Sequence, residues 1–203
     1  MAADEVIAAK KIARRNVLAA RDALTQRERE NKSAVITTQL VALLELAGEG
    51  KPPVSTVAAY LSFGTEFDTT DFIEALMDKG LRLVLPRVNR ATRQIDFFTV
   101  ADLASSLIAG TWGIREPDPV RCTHVDVREI DFMLVPGVAF TRRCERLGYG
   151  GGFYDAVISK LRNSVSKVAA AFALQIVDEL ALEPHDRCVD LVVTESGVYQ
   201  RGE

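Results

Sequence analysis

The chain has 203 residues, of which 48% are hydrophobic and 26% are charged, and this composition is typical of a globular protein with a substantial core. The 25 basic and 28 acidic side chains give a net charge of −3, which argues against a general nucleic-acid-binding protein because such proteins carry a basic surplus. No apolar run approaches the roughly 20 residues of a membrane helix, and the N-terminus has no apolar signal-peptide segment. We therefore expect one domain over residues 1–203, with neither nucleic acid nor membrane as a partner.

The cysteines and histidines, which are the residue types that can bind metals through sulfur or nitrogen, are scattered along the sequence. Cys122, Cys144 and Cys188 lie far apart and include no C-x-x-C pair. Reduced thiols in a cytoplasmic protein are therefore predicted, rather than a disulfide framework or a zinc site. His124 and His185 show no metal-ligand spacing, and no neighbouring base marks Cys144 as a nucleophile.

Two helices are predicted at the N-terminus. The first covers residues 4–24, and the second runs from Thr25 to about Ala47. Thr25 is a candidate N-cap, and Glu28 stands three residues later, which is the spacing of a capping box. The composition of residues 47–53 is typical of a linker between this helical arm and the rest of the chain.

Short apolar strands alternate with helices over the remaining sequence, and Pro86 is expected to end one of the strands. The predicted strands are 54–61, 81–85, 95–100, 130–135, 167–172 and 189–194; the predicted helices are 70–79, 153–161 and a short piece at 176–180; residues 101–128 are expected to be irregular, and the chain to end in a tail. This alternation predicts a three-layer α/β sandwich with a mainly parallel sheet and helices on both faces, preceded by an N-terminal helical segment.

A glycine-rich segment, Arg146-Leu-Gly-Tyr-Gly-Gly-Gly-Phe-Tyr-Asp155, holds four of the chain's 13 glycines. Glycine is favoured where backbone adopts positive φ or approaches a ligand closely. A glycine loop between a buried strand and a helix directs free N–H groups at a phosphate, so a phosphate loop is predicted. The segment matches neither the P-loop nor the dinucleotide pattern, and the alternative is a flexible turn.

Basic side chains recur on the first helix. Lys10, Lys11, Arg14 and Arg15 form two rows at a spacing of four residues, where like charges repel one another. A bound anion would relieve this repulsion. From the spacing alone, however, a solvated basic face is the favoured interpretation.

Acidic side chains follow several predicted elements. Glu66 and Asp68 come after one strand, and Asp155 and Asp190 lie near the ends of later elements. Ligands bind at the carboxyl ends of parallel strands, and Mg²⁺ is held by one or two carboxylates together with phosphate oxygens. Capping or solvation explains any one of these acids more simply, except Asp155, which adjoins the glycine segment.

Aromatic side chains near loops are candidates for stacking on a planar heterocycle. They are Phe63, Trp112 and Tyr154, although a place in the core is the commoner role for each of them.

Taken together, these motifs resemble the signature of the 5-formyltetrahydrofolate cyclo-ligase family, also called the 5,10-methenyltetrahydrofolate synthetases. The specific part is Val135-Pro-Gly-Val-Ala-Phe140 followed by the glycine segment. Weaker matches cover essentially the whole chain in order: Lys10 with Arg14, Tyr60-Leu-Ser-x-x-x-Glu66, Leu85-Pro86, Trp112-Gly-Ile-Arg-Glu-Pro117, Phe172-x-x-Gln175, His185-Asp-x-x-Val-Asp190 and Thr194-Glu195.

The resemblance implies an ATP- and Mg²⁺-dependent cyclisation of 5-formyltetrahydrofolate to 5,10-methenyltetrahydrofolate, with release of ADP and phosphate. A phosphorylated formyl intermediate would turn a poor leaving oxygen into a good one, and the protein would supply positioning and charge neutralisation. Two alternatives remain open: a non-catalytic folate- or nucleotide-binding regulatory paralogue, and a sugar-phosphate enzyme or sensor of similar fold. The expected substrate includes polyglutamylated forms, and the expected state is a monomer or weak homodimer.

The resemblance also implies residue roles. ATP contacts are implied for Lys10, Arg14, Arg146, Leu147, Gly148, Tyr149, Gly150, Gly151, Gly152, Phe153 and Tyr154, with Arg146 and Tyr154 as catalytic residues. Folate contacts are implied for Leu61, Glu66, Trp112, Tyr149, Gly150, Gly151, Gly152 and Phe153. Asp155 and Asp190 are the implied Mg²⁺ ligands. With these roles, phosphate binding becomes the better interpretation of the Lys10–Arg14 row.

The chain departs from the family pattern at several positions. Some members carry basic residues where this chain has Tyr149 and Gly151, and members often have Asp and Gly at the positions of Thr141 and Cys144. Phe153 stands where Tyr is common. We therefore expect Lys10 and Arg14 to supply positive charge that the glycine segment lacks.

Overall fold

Two long helices open the chain in a computed structural model that describes residues 3–47, 54–89, 91–110 and 113–202. They are α1 (Ala3–Asp22) and α2 (Gln26–Ala47). The predicted capping box is confirmed, because Glu28 accepts a hydrogen bond from the Thr25 backbone at 2.8 Å and Thr25 Oγ1 accepts one from the Glu28 backbone at 3.2 Å. The linker glycines and prolines at 48–53 lie outside the described residues.

The remaining helices are short: α3 (Thr70–Asp78), α4 (Leu103–Ser106) and α5 (Phe153–Ile158). The strands are β1 (Thr56–Ala58), β2 (Arg82–Asn89), β3 (Gln94–Thr99), β4 (Leu107–Ala109), β5 (Arg115–Pro117), β6 (His124–Val125), β7 (Phe132–Leu134), β8 (Ala139–Thr141), β9 (Arg146–Leu147), β10 (Ser166–Ala170), β11 (Ile176–Val177), β12 (Leu191–Thr194) and β13 (Gly197–Gln200). Within the described ranges, no helix is long and apolar enough to cross a membrane.

The central sheet has the order β13-β12-β10-β7-β1-β2-β3-β6 among the described strands. Its five inner strands, from β12 to β2, pair in parallel, whereas β13, β3 and β6 are antiparallel to their neighbours. The prediction of a mainly parallel sheet is therefore confirmed. Parallel strands require crossover connections, and this requirement explains the alternation of strand and helix in the sequence.

Residues of the inner strands alternate between two cores. Leu83 and Leu85 face the core under α2 and α3, whereas Val84 faces the opposite core. On that second face, α5 shares the covering layer with a small sheet of order β11-β8-β9. The three-layer arrangement with helices on both faces is confirmed.

Helix α1 lies apart from the faces of the large sheet. Its Val17 packs against Val138, Ala139 and Leu147 of the β8–β9 hairpin and the segment before it. This packing holds the basic face of α1 beside the glycine segment that follows β9.

Several predicted elements were wrong. Strand β2 was predicted to stop at Pro86 but continues to Asn89. Pro86 has no backbone N–H to donate, and none is required on the β1 side because β1 ends opposite Val84. The predicted helix at 176–180 is a 3₁₀ turn at Ala173–Gln175 followed by strand β11, which pairs with β8. The predicted helix 153–161 ends at Ile158, the irregular segment holds α4 and strands β4 to β6, and the tail forms β13.

Candidate active site

A pocket of about 760 Å³ lies at the carboxyl end of the parallel strands, between α1, the loop after β1 and the glycine segment. It brings together most of the predicted site residues: Lys10, Arg14, Leu61, Glu66, Arg146, Leu147, Gly148, Tyr149, Gly150, Gly151, Gly152, Phe153, Tyr154 and Asp155. Trp112 lies outside the described residues, so its predicted folate contact has no structural description. Asp190 is not among the residues that line the pocket.

The glycine segment has a backbone that other residues would strain. Gly150 has φ +103° and Gly152, which precedes α5, has φ +69°. A Cβ on Gly148 would lie 2.8 Å from Arg146 Nη1. Positive φ and close approach are both present, which explains why glycine occupies these positions. The β8–β9 hairpin, which the sequence analysis did not anticipate, stands between β7 and this loop.

Arg146 anchors the base of the loop. Its side chain is only 2% exposed, its Nη2 donates to Asp155 Oδ1 at 2.6 Å, and its Nη1 donates to the Pro136 carbonyl at 3.3 Å. Asp155 Oδ1 also accepts from the Arg187 backbone at 2.9 Å. Arg146 therefore fixes the carboxylate at the start of α5, and its buried Nε has no hydrogen-bond partner within the described chain.

The basic residues of α1 reach the same pocket. Arg14 Nε donates to the Gly148 carbonyl at 2.7 Å. Lys10 is 6% exposed, and its Nζ lies 2.7 Å from Glu183 Oε2 and 2.6 Å from Asp186 Oδ2. Burial by itself would lower the pKa of Lys10, but the hydrogen bonds to Asp186 and Glu183 outweigh it and raise that pKa. Lys10 is thus a permanent cation at the pocket wall.

Glu66 occupies the opposite wall and is 7% exposed. Its Oε2 accepts from the Phe63 backbone at 3.1 Å, and its Oε1 accepts from the Tyr149 hydroxyl at 2.5 Å. Burial raises the pKa of Glu66, and these two hydrogen bonds partly offset the rise. A buried carboxylate facing a pocket is suited to accept hydrogen bonds from a donor-rich ligand edge.

Known proteins are similar to this chain in sequence and in fold. A model of the 5-formyltetrahydrofolate cyclo-ligase family matches residues 6–195. The 5-formyltetrahydrofolate cyclo-ligase of Mycolicibacterium smegmatis is 31% identical over 176 residues, which cover 86% of this chain and 91% of the relative. That of Escherichia coli K12 is 34% identical over 159 residues, which cover 73% and 84%.

The chain belongs to the 5-formyltetrahydrofolate cyclo-ligase family. It is an enzyme of that family and a ligase of folate one-carbon metabolism, and membership implies a nucleotide-dependent reaction.

Solved structures agree with this assignment. The NMR structure of Aquifex aeolicus 5,10-methenyltetrahydrofolate synthetase superposes with a TM-score of 0.81 and 31% identity, covering 96% of this chain and 93% of that one. The 5,10-methenyltetrahydrofolate synthetase from Mycoplasma pneumoniae gives 0.73 and 27%, covering 92% and 98%. The sequence relatives and the solved structures therefore indicate the same family.

The two acids predicted as metal ligands in this cyclo-ligase lie in different surroundings. Asp155 lines the pocket, and its Oδ2 has no hydrogen bond within the described residues. One unused carboxylate oxygen in a pocket that also contains cationic side chains fits Mg²⁺, which takes few protein ligands. Asp190 precedes β12 at the amino end of the sheet, where its Oδ2 lies 2.7 Å from Lys167 Nζ. The structure does not bring Asp190 to the pocket wall.

Sequence reasoning missed several pocket residues. Glu183 and Asp186 pair with Lys10, and the only signal was the His185-Asp match to the family. Glu116 is 5% exposed at the pocket wall, and its Oε1 accepts from the Val88 backbone at 3.2 Å. The motif from Trp112 to Pro117 contained Glu116 without marking it as a site residue.

Cys144 is a structural residue of the β8–β9 turn. It has φ +62°, a backbone conformation that favours glycine. Its side chain is fully buried, its Sγ bonds to the Tyr199 carbonyl at 3.4 Å, and burial raises its pKa to about 11. A thiol with so high a pKa is a poor nucleophile at neutral pH.

Proposed function

We propose that this enzyme catalyses the ATP- and Mg²⁺-dependent cyclisation of 5-formyltetrahydrofolate to 5,10-methenyltetrahydrofolate, with release of ADP and phosphate. One observation carries the proposal beyond family membership: a single pocket joins the glycine loop and the cations of α1 to the Glu66 wall. A nucleotide on one wall and a folate on the other would meet within this pocket, and such positioning lowers the barrier to a transfer between them.

The nucleotide side is assigned to α1 and the glycine loop. Arg14 provides positive charge, and Lys10 offsets the negative charge of its two carboxylate partners. The positive-φ backbone at Gly150 and Gly152 permits close approach of phosphate oxygens. Mg²⁺, when bound, would neutralise phosphate charge, and Asp155 is the pocket residue that would hold it. The other predicted ligand, Asp190, lies beside Lys167 at the amino end of the sheet and not at this pocket.

The folate side is assigned to the loop after β1. Glu66 would accept hydrogen bonds from the amino and ring N–H groups of the pterin, and Leu61 would contact its ring. The apolar side chains of Leu85, Pro86 and Val88 line the same pocket and suit the body of an aromatic substrate. The predicted contacts of Trp112 and the glycine loop belong to the same proposal.

The chemistry follows from the weak leaving character of the formyl oxygen. The formyl oxygen attacks the γ-phosphorus of ATP, and the bond between that phosphorus and the oxygen of the departing ADP breaks. The N10 nitrogen then attacks the activated formyl carbon, loses its proton, and the oxygen departs with phosphate. Burial, and to a lesser extent the charge of Glu66, raise the pKa of Tyr154. Its hydroxyl therefore stays protonated and can donate a hydrogen bond. Arg146 would act beside it by holding Asp155 and the loop base.

The test is a direct assay. Purified enzyme with 5-formyltetrahydrofolate, ATP and Mg²⁺ should produce the near-ultraviolet absorbance of the methenyl product, and omission of ATP should abolish it. Asp155→Ala should remove the Mg²⁺-dependent turnover. An enzyme that binds folate or nucleotide but yields no ATP-dependent product would instead be the non-catalytic paralogue.

Residues 1–203 are proposed as one cyclo-ligase domain, which acts in the cytoplasm as a monomer or weak homodimer. The substrate is proposed to include polyglutamylated 5-formyltetrahydrofolate.

A further inference from the structure

The Tyr149 hydroxyl lies between a buried cation and a buried carboxylate. Arg21 Nη1 donates to it at 3.1 Å, and it donates to Glu66 Oε1 at 2.5 Å. Arg21 belongs to α1 and is 4% exposed, and its Nε is held by Thr65 Oγ1 at 3.1 Å. Three segments distant in sequence, namely α1, the loop after β1 and the glycine loop, thus meet at one hydrogen-bonded chain.

The direction of this chain follows from the chemistry of its members. A guanidinium has donors only, so the Tyr149 oxygen accepts from Arg21 and its one proton is left for Glu66. Glu66 Oε1 therefore serves as the acceptor of this bond. The second oxygen of Glu66 accepts from the Phe63 backbone at 3.1 Å, so the carboxylate is held at both oxygens.

The surroundings of Glu66 make such support necessary. Within the described part of the chain, the titratable groups that interact with Glu66 include Arg21 on α1, Tyr60 after β1, Tyr149 in the glycine loop and Tyr154 on α5. Arg21 is the cation among these four. Burial raises the pKa of Glu66, whereas the Tyr149 hydrogen bond, the Phe63 hydrogen bond and the Arg21 charge act against that rise. Without the Arg21–Tyr149 pair, burial would raise the pKa of Glu66 further.

We infer that Arg21 and Tyr149 are positioning residues for the folate substrate, which hold Glu66 as an oriented carboxylate ready to accept from the N–H edge of the pterin. The inference rests on the proposed function in one respect, the assignment of Glu66 as a folate contact. It gives Tyr149 a role that acts through Glu66, because its hydroxyl is already engaged on both sides.

A conservative variant isolates the hydroxyl. The Tyr149 and Phe63 rings contact each other with centroids 5.5 Å apart. Tyr149→Phe retains the ring and removes the hydroxyl, which is both the donor to Glu66 and the acceptor for Arg21. Tyr199→Phe, in β13 at the far edge of the sheet, is the matched control.

The experiment compares kcat and KM for 5-formyltetrahydrofolate across pH in wild type, Tyr149→Phe, Glu66→Gln and the double variant. We expect Tyr149→Phe to raise the folate KM about 10-fold, as for loss of one hydrogen bond to a charged group, with kcat and the ATP KM within about twofold. The acid limb of kcat/KM should move to higher pH, since Glu66 would lose a group that lowers its pKa. In the Glu66→Gln background the second substitution should have little further effect, because the two residues act as a unit.

Two outcomes would overturn the inference: an unchanged folate KM and acid limb in Tyr149→Phe, or the same KM increase with and without Glu66. Arg21→Met should reproduce the Tyr149→Phe phenotype, and its thermal unfolding shows whether it folds; exposed Arg15→Met is its control. Calorimetric binding of 5-formyltetrahydrofolate without ATP separates this inference from the proposed function. Folate binding by wild type without turnover contradicts the proposed function alone, whereas absence of folate binding contradicts both.

Discussion

Lys10 shows how one side chain combines a structural and a proposed functional role. It lines the pocket, is almost fully buried, and pairs with both Glu183 and Asp186. Two carboxylates around one ammonium leave a local negative charge if the lysine is removed. The cation therefore offsets acidity at the wall where an anionic nucleotide is proposed to bind.

Substitution of Lys10 by Met should accordingly weaken nucleotide binding. We expect the ATP KM to rise about 10- to 100-fold, because a charge-assisted contact is lost and two acids are left without their cation. Steady-state kinetics measure the change, and thermal unfolding checks that the variant folds. Lys11→Met, one residue along on the exposed side of α1, should keep the wild-type ATP KM. An ATP KM within twofold of wild type in Lys10→Met would contradict the assignment.

At the scale of elements, the glycine loop depends on its neighbours as much as on its own residues. Arg146 supports it from the hairpin, and Arg14 donates to it from α1. The helix that follows, α5, has only six residues. The proposed phosphate contacts therefore rest on loop backbone and on α1 cations more than on the dipole of α5.

Gly150→Ala tests the backbone requirement of this loop. Gly150 has φ +103°, and an added Cβ would lie 3.6 Å from the Arg14 guanidinium carbon. Strain of about 1–3 kcal/mol at this φ should reshape the loop, and we expect a loss of roughly tenfold or more in kcat/KM for ATP. Gly202→Ala is the control, since Gly202 has φ +95° near the C-terminus, away from the pocket. Equal kinetic effects of the two substitutions would show that the loop geometry is not specific.

At the scale of the whole molecule, Asp131 joins the amino ends of three strands. Its Oδ2 accepts from the backbones of Ser55 at 3.1 Å and Thr56 at 3.0 Å, beside β1, and its Oδ1 accepts from Arg162 at 2.8 Å. The Asp131 carbonyl accepts from Ser166 of β10 at 3.2 Å. This junction lies at the end of the sheet opposite the pocket, so we expect it to stabilise the fold and not to take part in the site.

The stability contributed by Asp131 should depend on pH. Burial alone would raise the pKa of Asp131, but hydrogen bonds from Ser55, Thr56 and Arg162 outweigh it and lower that pKa. A lowered folded-state pKa contributes stability that is present above the unfolded value, about 3.9, and is lost as pH falls through the folded value. Asp131→Asn should therefore lower the unfolding free energy by about 1–3 kcal/mol at pH 7, and by less at about pH 3.

Urea unfolding at both pH values measures the difference between Asp131→Asn and wild type. Exposed Asp78→Asn serves as the control and should cost little at either pH. The same loss at pH 7 and at about pH 3 would mean that the Asp131 charge is not responsible.

Local signals predicted much of the fold. The capping box at Thr25 and Glu28 and the apolar strands of the sheet core depend on neighbours a few residues away, so they could be predicted from sequence. The segment 176–180 was mistaken for a helix because its strand pairing with β8 is non-local. The Gln175 side chain also holds that segment through the Val138 carbonyl at 2.9 Å, a contact 37 residues away.

The sequence alone determined that the chain has a glycine loop, a basic helix and a carboxylate near a strand end, in the order found in the cyclo-ligase family. Each of these motifs could be predicted because it is a local pattern. Tertiary structure decided which partners they take. Lys10 meets Glu183 across 173 residues and Tyr149 meets Glu66 across 83, and Arg21 joins the latter pair through the docking of α1. Such pairings depend on how α1 packs on the hairpin beside the sheet. Residue spacing along the chain carries no measure of that packing.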